Sequence, residues 1–256
     1  MCTILLAWRC VAGAPVLLAA NRDELIARLS DAPGVLVEQP LTAGGRDRVA
    51  GGTWLAVTAD ARVAAVTNRH QGERDPSRRS RGELPLLLLG SADDAAAHAL
   101  VAGLDAGAYN PFNVLYVSPA MAVVGHGRAD GHVDVVDLAP GAHVLTVHDV
   151  DDTDQVKVAA LRGMLDRALA GASDAGAALL AMEEVLRDHG GEGRGGVDAA
   201  CVHGDVYGTV SSSSLRIDDD GGIVYRHAQG RPCVTPHVDV SALLSRRSEM
   251  SRRAPG

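Results

Sequence analysis

Residues 2–8 are almost continuously apolar, and after a turn at Gly13-Ala14-Pro15 a second apolar run covers 16–20. This pattern predicts a hairpin of two buried strands at the start of the chain. Further short runs predict strands at 53–57 and 62–67, joined by an Asp60-Ala61 turn, and at 113–117, 122–125, 132–137 and 144–147. Most are short and hairpin-spaced, so antiparallel pairing is expected in preference to a parallel order, which would need helical crossovers between the strands. Helical periodicity takes over elsewhere. Ser91, with Asp94 three positions on, opens a helix whose apolar face is Ala97, Leu100, Val101 and Leu104 and which ends at Gly107. A second helix starts at Asp154 with Val156, Ala160, Leu161, Met164, Leu165 and Ala168 on one face. A third starts at Ser173 and runs to a Gly190-Gly191 stop. Glycine-rich 190–196 reads as a loop, and 199–202, 207–217 and 222–227 return to the strand pattern. The order is strands, helices, strands.

Length changes this picture only by setting its scale. With 256 residues, 46% of them hydrophobic and 22% charged, the chain fits one packed domain over 1–244, followed by a disordered tail at 245–256 that carries four arginines and no apolar period. The longest apolar runs, such as 177–182, fall far short of the roughly 20 residues that span a bilayer, so no membrane span is expected. A formal charge of −8 argues against nucleic acid and anionic lipid as partners. One lysine stands against 23 arginines, a bias that reads as genome composition. The four cysteines at 2, 10, 201 and 233 form no CxxC pair and read as free thiols, and no cationic leader precedes Ile4-Leu5-Leu6, so a cytoplasmic protein is expected.

Cys2 is the most suggestive residue for chemistry. Removal of Met1 would leave a thiol and an α-amine on one residue, and an α-amine with a reference pKa of roughly 7.7–8.0 can activate that thiol without a histidine. Position alone is better served by a small buried residue on the first strand. Asn21-Arg22-Asp23-Glu24 is an abrupt polar cluster at the end of the second strand. Asp23 could hold the protonated amine and Arg22 could grip a carboxylate, or Asn21 or Asp23 could cap a following helix. Asn68, at the end of another strand, could donate to an oxyanion or be merely polar. Ten histidines are scattered, and His126, His132, His143 and His148 match no zinc spacing, so no metal is expected. The chain lacks CxxCH, a GxxxxGK phosphate loop and a GxSxG elbow, which excludes those classes.

Met1-Cys2-Thr3, Asn21-Arg22-Asp23-Glu24, Gly44-Gly45-Arg46-Asp47, Gly51-Gly52-Thr53-Trp54, 62–68, Ser80-Arg81-Gly82-Glu83-Leu84, Asn110-Pro111-Phe112-Asn113 and Tyr207-Gly208-Thr209 with Ser211-Ser212 occur in this order. The set resembles the NRDE family, also called the transport and Golgi organisation 2 family, over residues 1 to about 235. That family is similar at its start to N-terminal-nucleophile hydrolases of the choloylglycine hydrolase and penicillin V acylase kind. The resemblance implies an α+β fold, a four-layer αββα sandwich with mostly antiparallel sheets. It implies Cys2 as nucleophile, Asp23 as the acid holding the α-amine and Asn68 as an oxyanion-hole residue. Asn21, Arg22, Trp54, Arg69 and Asn113 are grouped with them as substrate-binding residues.

The implied reaction is attack of the Cys2 thiolate on the amide carbonyl of a small acyl compound, then hydrolysis of the acyl-enzyme, with no cofactor. Two positions depart from the pattern. Val147 stands in Leu145-Thr146-Val147 where such acylases carry a second oxyanion asparagine, a donor typically worth about 2.7–4 kcal/mol of barrier. Val210 stands where many family members carry arginine. A different class is also implied, because animal and yeast relatives are linked to haem trafficking. In that reading the protein carries haem or another hydrophobic ligand, with Cys2, His70, His148 or His203 as axial ligand. A third alternative is a scaffold without catalysis. The oligomeric state is not legible in the sequence.

Overall fold

The computed structural model describes residues 2–69, 71, 73–191 and 196–245. The N-terminal hairpin forms as expected, from β1 (Cys2–Val11) and β2 (Ala14–Leu25), turning through Gly13 at a φ of 82° that a side chain would disfavour. Thereafter come β3 (Ser30–Glu38), β4 (Leu41–Asp47), β5 (Leu55–Thr58), β6 (Val63–Asn68), α1 (Leu84–Leu89), α2 (Asp94–Ala102) and β7 (Phe112–Val117). The chain continues through β8 (Ala122–Gly127), β9 (Val133–Asp137), β10 (Gly141–Leu145), α3 (Val156–Ala170), α4 (Ala175–Val185), β11 (Tyr207–Ile217), β12 (Ile223–Ala228) and β13 (Val238–Asp239). One sheet runs β10-β1-β2-β11-β12-β13 and the other β3-β4-β5-β6-β7-β8-β9, with every pairing between these strands antiparallel.

Alternation along the strands sorts the side chains into three apolar layers. Ile4, Leu6, Trp8, Val16 and Leu18 of the first sheet meet Leu55, Val57, Val63, Ala65 and Leu115 of the second. The opposite face of the first sheet, with Leu5, Ala7, Leu17 and Ala19, is covered by α3 and α4 through Leu161, Leu165, Leu179 and Met182. The outer face of the second, with Ala64, Val66, Val114 and Tyr116, is covered by α1 and α2 through Leu84, Leu88 and Val101. The protein is therefore an α+β, four-layer αββα sandwich.

Several local expectations shift. α2 begins at Asp94, because Asp93 rather than Ser91 caps it, accepting the Ala96 amide, and it ends at Ala102 instead of Gly107. α3 begins at Val156, and α4 begins after the Asp174 cap and ends at Val185. Residues 199–202 join neither sheet. Their hydrogen bonds run to the Asp188 carbonyl and to Thr209, so the segment is a strap across the end of the first sheet. β3 and β4, which the hydrophobic pattern does not announce, form the edge of the second sheet, with Pro33 and Gly34 inside an irregular register. α1 likewise escapes the periodicity, since Leu84-Pro85-Leu86-Leu87-Leu88-Leu89 is apolar all round. His70, and the tail beyond Ser245, lie outside the described residues.

The glycine pairs are packing devices. A Cβ on Gly45 would occupy the Trp54 ring, and one on Gly52 would overlap the Gly82 carbonyl. Because the obstacle at Gly52 is main chain, it cannot turn aside as a side-chain tip can. Gly52→Ala is expected to cost about 1–3 kcal/mol, the usual range for overpacking, which a thermal melt of the variant checks directly. An unchanged midpoint would show that the 52–82 contact yields.

Candidate active site

One rim of the sandwich collects most of the residues singled out in the sequence. β1 begins there at Cys2, opposite Arg22 on β2. On the other side of β2, Arg22 faces Ser211 and Asp23 faces Thr209 on β11. Val210 falls within the register shift between Thr209 and Ser211, so it is the bulged residue of that pair. Alternation then separates two environments. Cys2 and Arg22 share the parity of Ile4 and Ala20 and face the second sheet, while Asn21 and Asp23 share the parity of Ala19 and face the helices.

Asp23 is buried, and Thr209 Oγ1 donates to its Oδ1 at 2.6 Å. Burial pushes its carboxyl up to about 6, partly offset by the positive charge of Lys157 and the Thr209 bond. Burial also raises the Cys2 thiol, and the Asp23 charge adds to this. Arg22 and hydrogen bonding from the Asp23 main-chain amide work the other way. A thiol in this setting needs a base beside it to react near neutrality.

Arg22 is almost fully buried, and its guanidinium lies over the Trp54 ring at 4.3 Å from the centroid, with Ser30 Oγ at 3.3 Å and Glu24 at 3.8 Å. Trp54 thus serves as a platform for Arg22, on a ring that only glycine at 45 admits. Arg81, absent from the residues assigned a role from sequence, belongs to this rim. It donates to the Pro111 carbonyl at 2.9 Å; burial, with repulsion from Arg74, pulls its guanidinium below the usual range, and negative charge at Cys2 and Glu24 works the other way. Its signal in the sequence is the Ser80-Arg81-Gly82-Glu83 motif, whose Ser80 caps the turn that presents it.

Asn21 is placed inside β2 and opens no following helix. Its Nδ2 donates to the Leu186 and Ala200 carbonyls at 2.8 and 2.9 Å, tying the rim to the end of α4 and to the strap. Asn68 is half-buried at the last position of β6, where alternation sets it on the face of Val66, next to α1. Thr67 takes the inter-sheet face and donates to the Thr146 carbonyl at 2.5 Å. Arg69 and Asn113, grouped with the substrate-binding residues, have their polar atoms committed inside the protein. Asn113 Nδ2 contacts Thr67 Oγ1, Thr146 O and His148 O at 2.9–3.0 Å, and its Oδ1 accepts from Arg69 and His126, both at 2.7 Å. Arg69 also pairs with Asp149 at 2.6 Å, which Arg128 grips from the other side. This hub joins the two sheets beside the start of β1, since Leu145 pairs with Ile4. Val147 is buried next to it and His148 is half-buried.

Away from the rim, His189, Cys201, His203 and Cys233 place one ligand atom each within 4.8 Å of one another. Spacing along the chain, on which the expectation of no metal rested, does not register this group, because three separate segments bring it together. Among the described residues no helix is long and apolar enough to cross a membrane.

The family model described as Transport and Golgi organisation 2 matches residues 1–228. The mouse protein named Transport and Golgi organization 2 homolog is 31% identical over 138 residues, and its human counterpart 30% over 137, each match covering 51% of this chain and 50% of the relative. The aligned stretch thus takes in about half the length of the curated relatives. Among solved structures, a Caenorhabditis elegans N-acylethanolamine-hydrolyzing acid amidase ortholog superposes with a TM-score of 0.53 at 12% identity, over 83% of this chain and 92% of the other. A conjugated bile acid hydrolase from Clostridium perfringens gives 0.56 at 10% identity, over 95% and 94%. Both show that the fold is that of the N-terminal-nucleophile hydrolases.

Proposed function

Because the chain belongs to the Transport and Golgi organisation 2 family and folds like N-terminal-nucleophile hydrolases, we propose that it is a cysteine amidohydrolase acting on a small acyl amide, with Cys2 exposed by removal of Met1. The observation that supports this reading is the pairing of the half-buried Cys2, at the head of β1, with Arg22 of the NRDE strand, one residue from the buried Asp23 on the other side of the sheet. In the proposed reaction the Cys2 α-amine takes the thiol proton and the sulfur attacks the amide carbon. The amine then returns the proton to the leaving nitrogen as the C–N bond breaks, and water cleaves the thioester by the same path. Asp23, ionised above about pH 6, holds the ammonium form. Asn68 is proposed as the oxyanion donor at the same rim, its side chain turning at the end of β6 from the α1 face toward Cys2. Arg22 and Arg81 give the thiol a cationic surround, which favours an acyl compound carrying a carboxylate near the scissile bond.

The four cysteines are free thiols, the form a reducing compartment keeps, and the proposal places the enzyme in the cytoplasm. The test is intact mass before and after brief exposure to a small acyl electrophile, with Cys2→Ala alongside. Loss of Met1 and a single adduct that disappears in Cys2→Ala is the expected result. Retained Met1, or equal labelling of the variant, removes the hydrolase reading and turns attention to haem titration.

A further inference from the structure

Three segments far apart in sequence meet at one end of the molecule. His189 follows α4, Cys201 and His203 lie in and just after the strap, and Cys233 sits in the loop after β12. The Cys201 and Cys233 sulfurs are 3.6 Å apart. His203 Nε2 lies 3.6 Å from Cys201 Sγ and 3.3 Å from Cys233 Sγ, and the His189 ring packs edge-on against that of His203 with centroids 4.8 Å apart. These spacings have a simple geometric meaning. With zinc–sulfur bonds of about 2.3 Å and zinc–nitrogen bonds of about 2.0–2.1 Å, a tetrahedron has a sulfur–sulfur edge of about 3.8 Å and sulfur–nitrogen edges of about 3.6 Å. The three edges seen here are within a few tenths of an ångström of those values, with no ion required to draw the atoms together.

We propose that His189, Cys201, His203 and Cys233 form a structural zinc site. Two thiolates and two imidazoles are a borderline-soft donor set, which suits zinc over magnesium, calcium or manganese. Binding releases the two thiol protons to solvent and leaves a complex of zero net charge, two thiolates balancing the dication. Four protein ligands fill the tetrahedron, so the ion has no open position for substrate and acts as a staple.

What it staples is the strap. Cys201 donates its amide to the Asp188 carbonyl, Ala200 accepts from Asn21, and the Val202 amide donates to Thr209 Oγ1, the hydroxyl that in turn donates to Asp23. Metal at this site therefore holds in place the segment against which the Asn-Arg-Asp strand is braced. A disulfide between Cys201 and Cys233 is the competing use of the two thiols, but it gives no role to two imidazoles gathered around them.

The site is tested on the full chain, kept in reducing buffer and stripped with a chelator. Titration with cobalt(II) is expected to saturate at one equivalent, with the intense visible bands of a tetrahedral ion and thiolate-to-cobalt charge transfer, both erased by one equivalent of zinc. Cys233→Ser should lower zinc affinity by more than the 10–100-fold that loss of an outer-shell partner costs. Cys10→Ser, on β1 and outside the cluster, should leave it unchanged. His189 is exposed, so His189→Ala provides a ligand deletion that leaves the core intact should a cysteine variant fail to fold. The proposal is overturned by a wild-type cobalt spectrum without tetrahedral bands, or by unchanged affinity in both Cys233→Ser and His189→Ala. Metal-free protein bearing a Cys201–Cys233 disulfide under reducing conditions would overturn it equally.

Discussion

Asn113→Ala is expected to destabilise the protein by about 3–5 kcal/mol, the range for opening a buried polar network. Asn113 is fully buried on β7, and its amide meets five partners: Thr67, Thr146, His148, Arg69 and His126. Truncation removes a donor to the His148 carbonyl just after β10, leaves the Thr146 carbonyl to Thr67 Oγ1, and removes the acceptor facing the Arg69 guanidinium. Asn113→Asp should fare little better, because a carboxylate facing two carbonyl oxygens repels where the amide donates. For a chain of this size the alanine variant should melt about 10 °C lower, at roughly 2–4 °C per kcal/mol. Urea denaturation gives the free energy directly, and a loss under about 1 kcal/mol would show that the hub is not what joins the sheets.

Asp23→Asn should act in opposite directions on stability and turnover. The carboxyl titrates near 6 in the folded protein because burial penalises its charge, against an ordinary value of 3.8. The folded state therefore holds the proton more tightly than the unfolded chain does. Wild-type stability should fall as pH rises from about 4 to about 6 and stay low above that, since the ionised carboxylate is then retained at a loss. At 1.36 kcal/mol per unit the loss reaches about 3 kcal/mol. Asparagine keeps an acceptor for Thr209 without the charge, so the variant should be the more stable at pH 7, with the advantage gone at pH 4. Turnover should drop by about 100-fold or more, because the ammonium formed when the α-amine takes the thiol proton loses its counter-charge. Denaturant melts at the two pH values, paired with rate measurements on a labile acyl amide, check both arms. A variant less stable than wild type at pH 7 would mean that Asp23 is held mainly as a structural ion partner.

The opposition also explains why such a residue can persist in a core. A buried carboxylate that weakens the fold while ordering a reacting amine is a local cost tied to chemistry. The surrounding glycines and the Arg22–Trp54 stack have the opposite character, since they improve packing around the rim.

Much of the architecture was determined by local patterns. The apolar runs at 2–8 and 16–20 and the short, closely spaced later strands require antiparallel sheets with buried faces, and the helical faces of α2, α3 and α4 are visible as periodicity. The NRDE cluster stands out because four polar residues end a buried strand. Periodicity is a property of neighbours in sequence, however, and it fails where that information is weak: at the β3 edge with its proline and glycine, in α1, which is apolar all round, and in the strap at 199–202, whose apolar residues are buried without strand partners. Only the tertiary structure decided that Cys2 and Asp23 face opposite sides of one sheet, that Asn113 and Arg69 brace the sheets from within, and that Arg81 belongs to the rim. The same holds for His189, Cys201, His203 and Cys233, which follow no motif spacing because each of the three segments takes its position from a different packed element. Proximity of that kind is set by the long-range closure of the sandwich, and no window along the chain contains it.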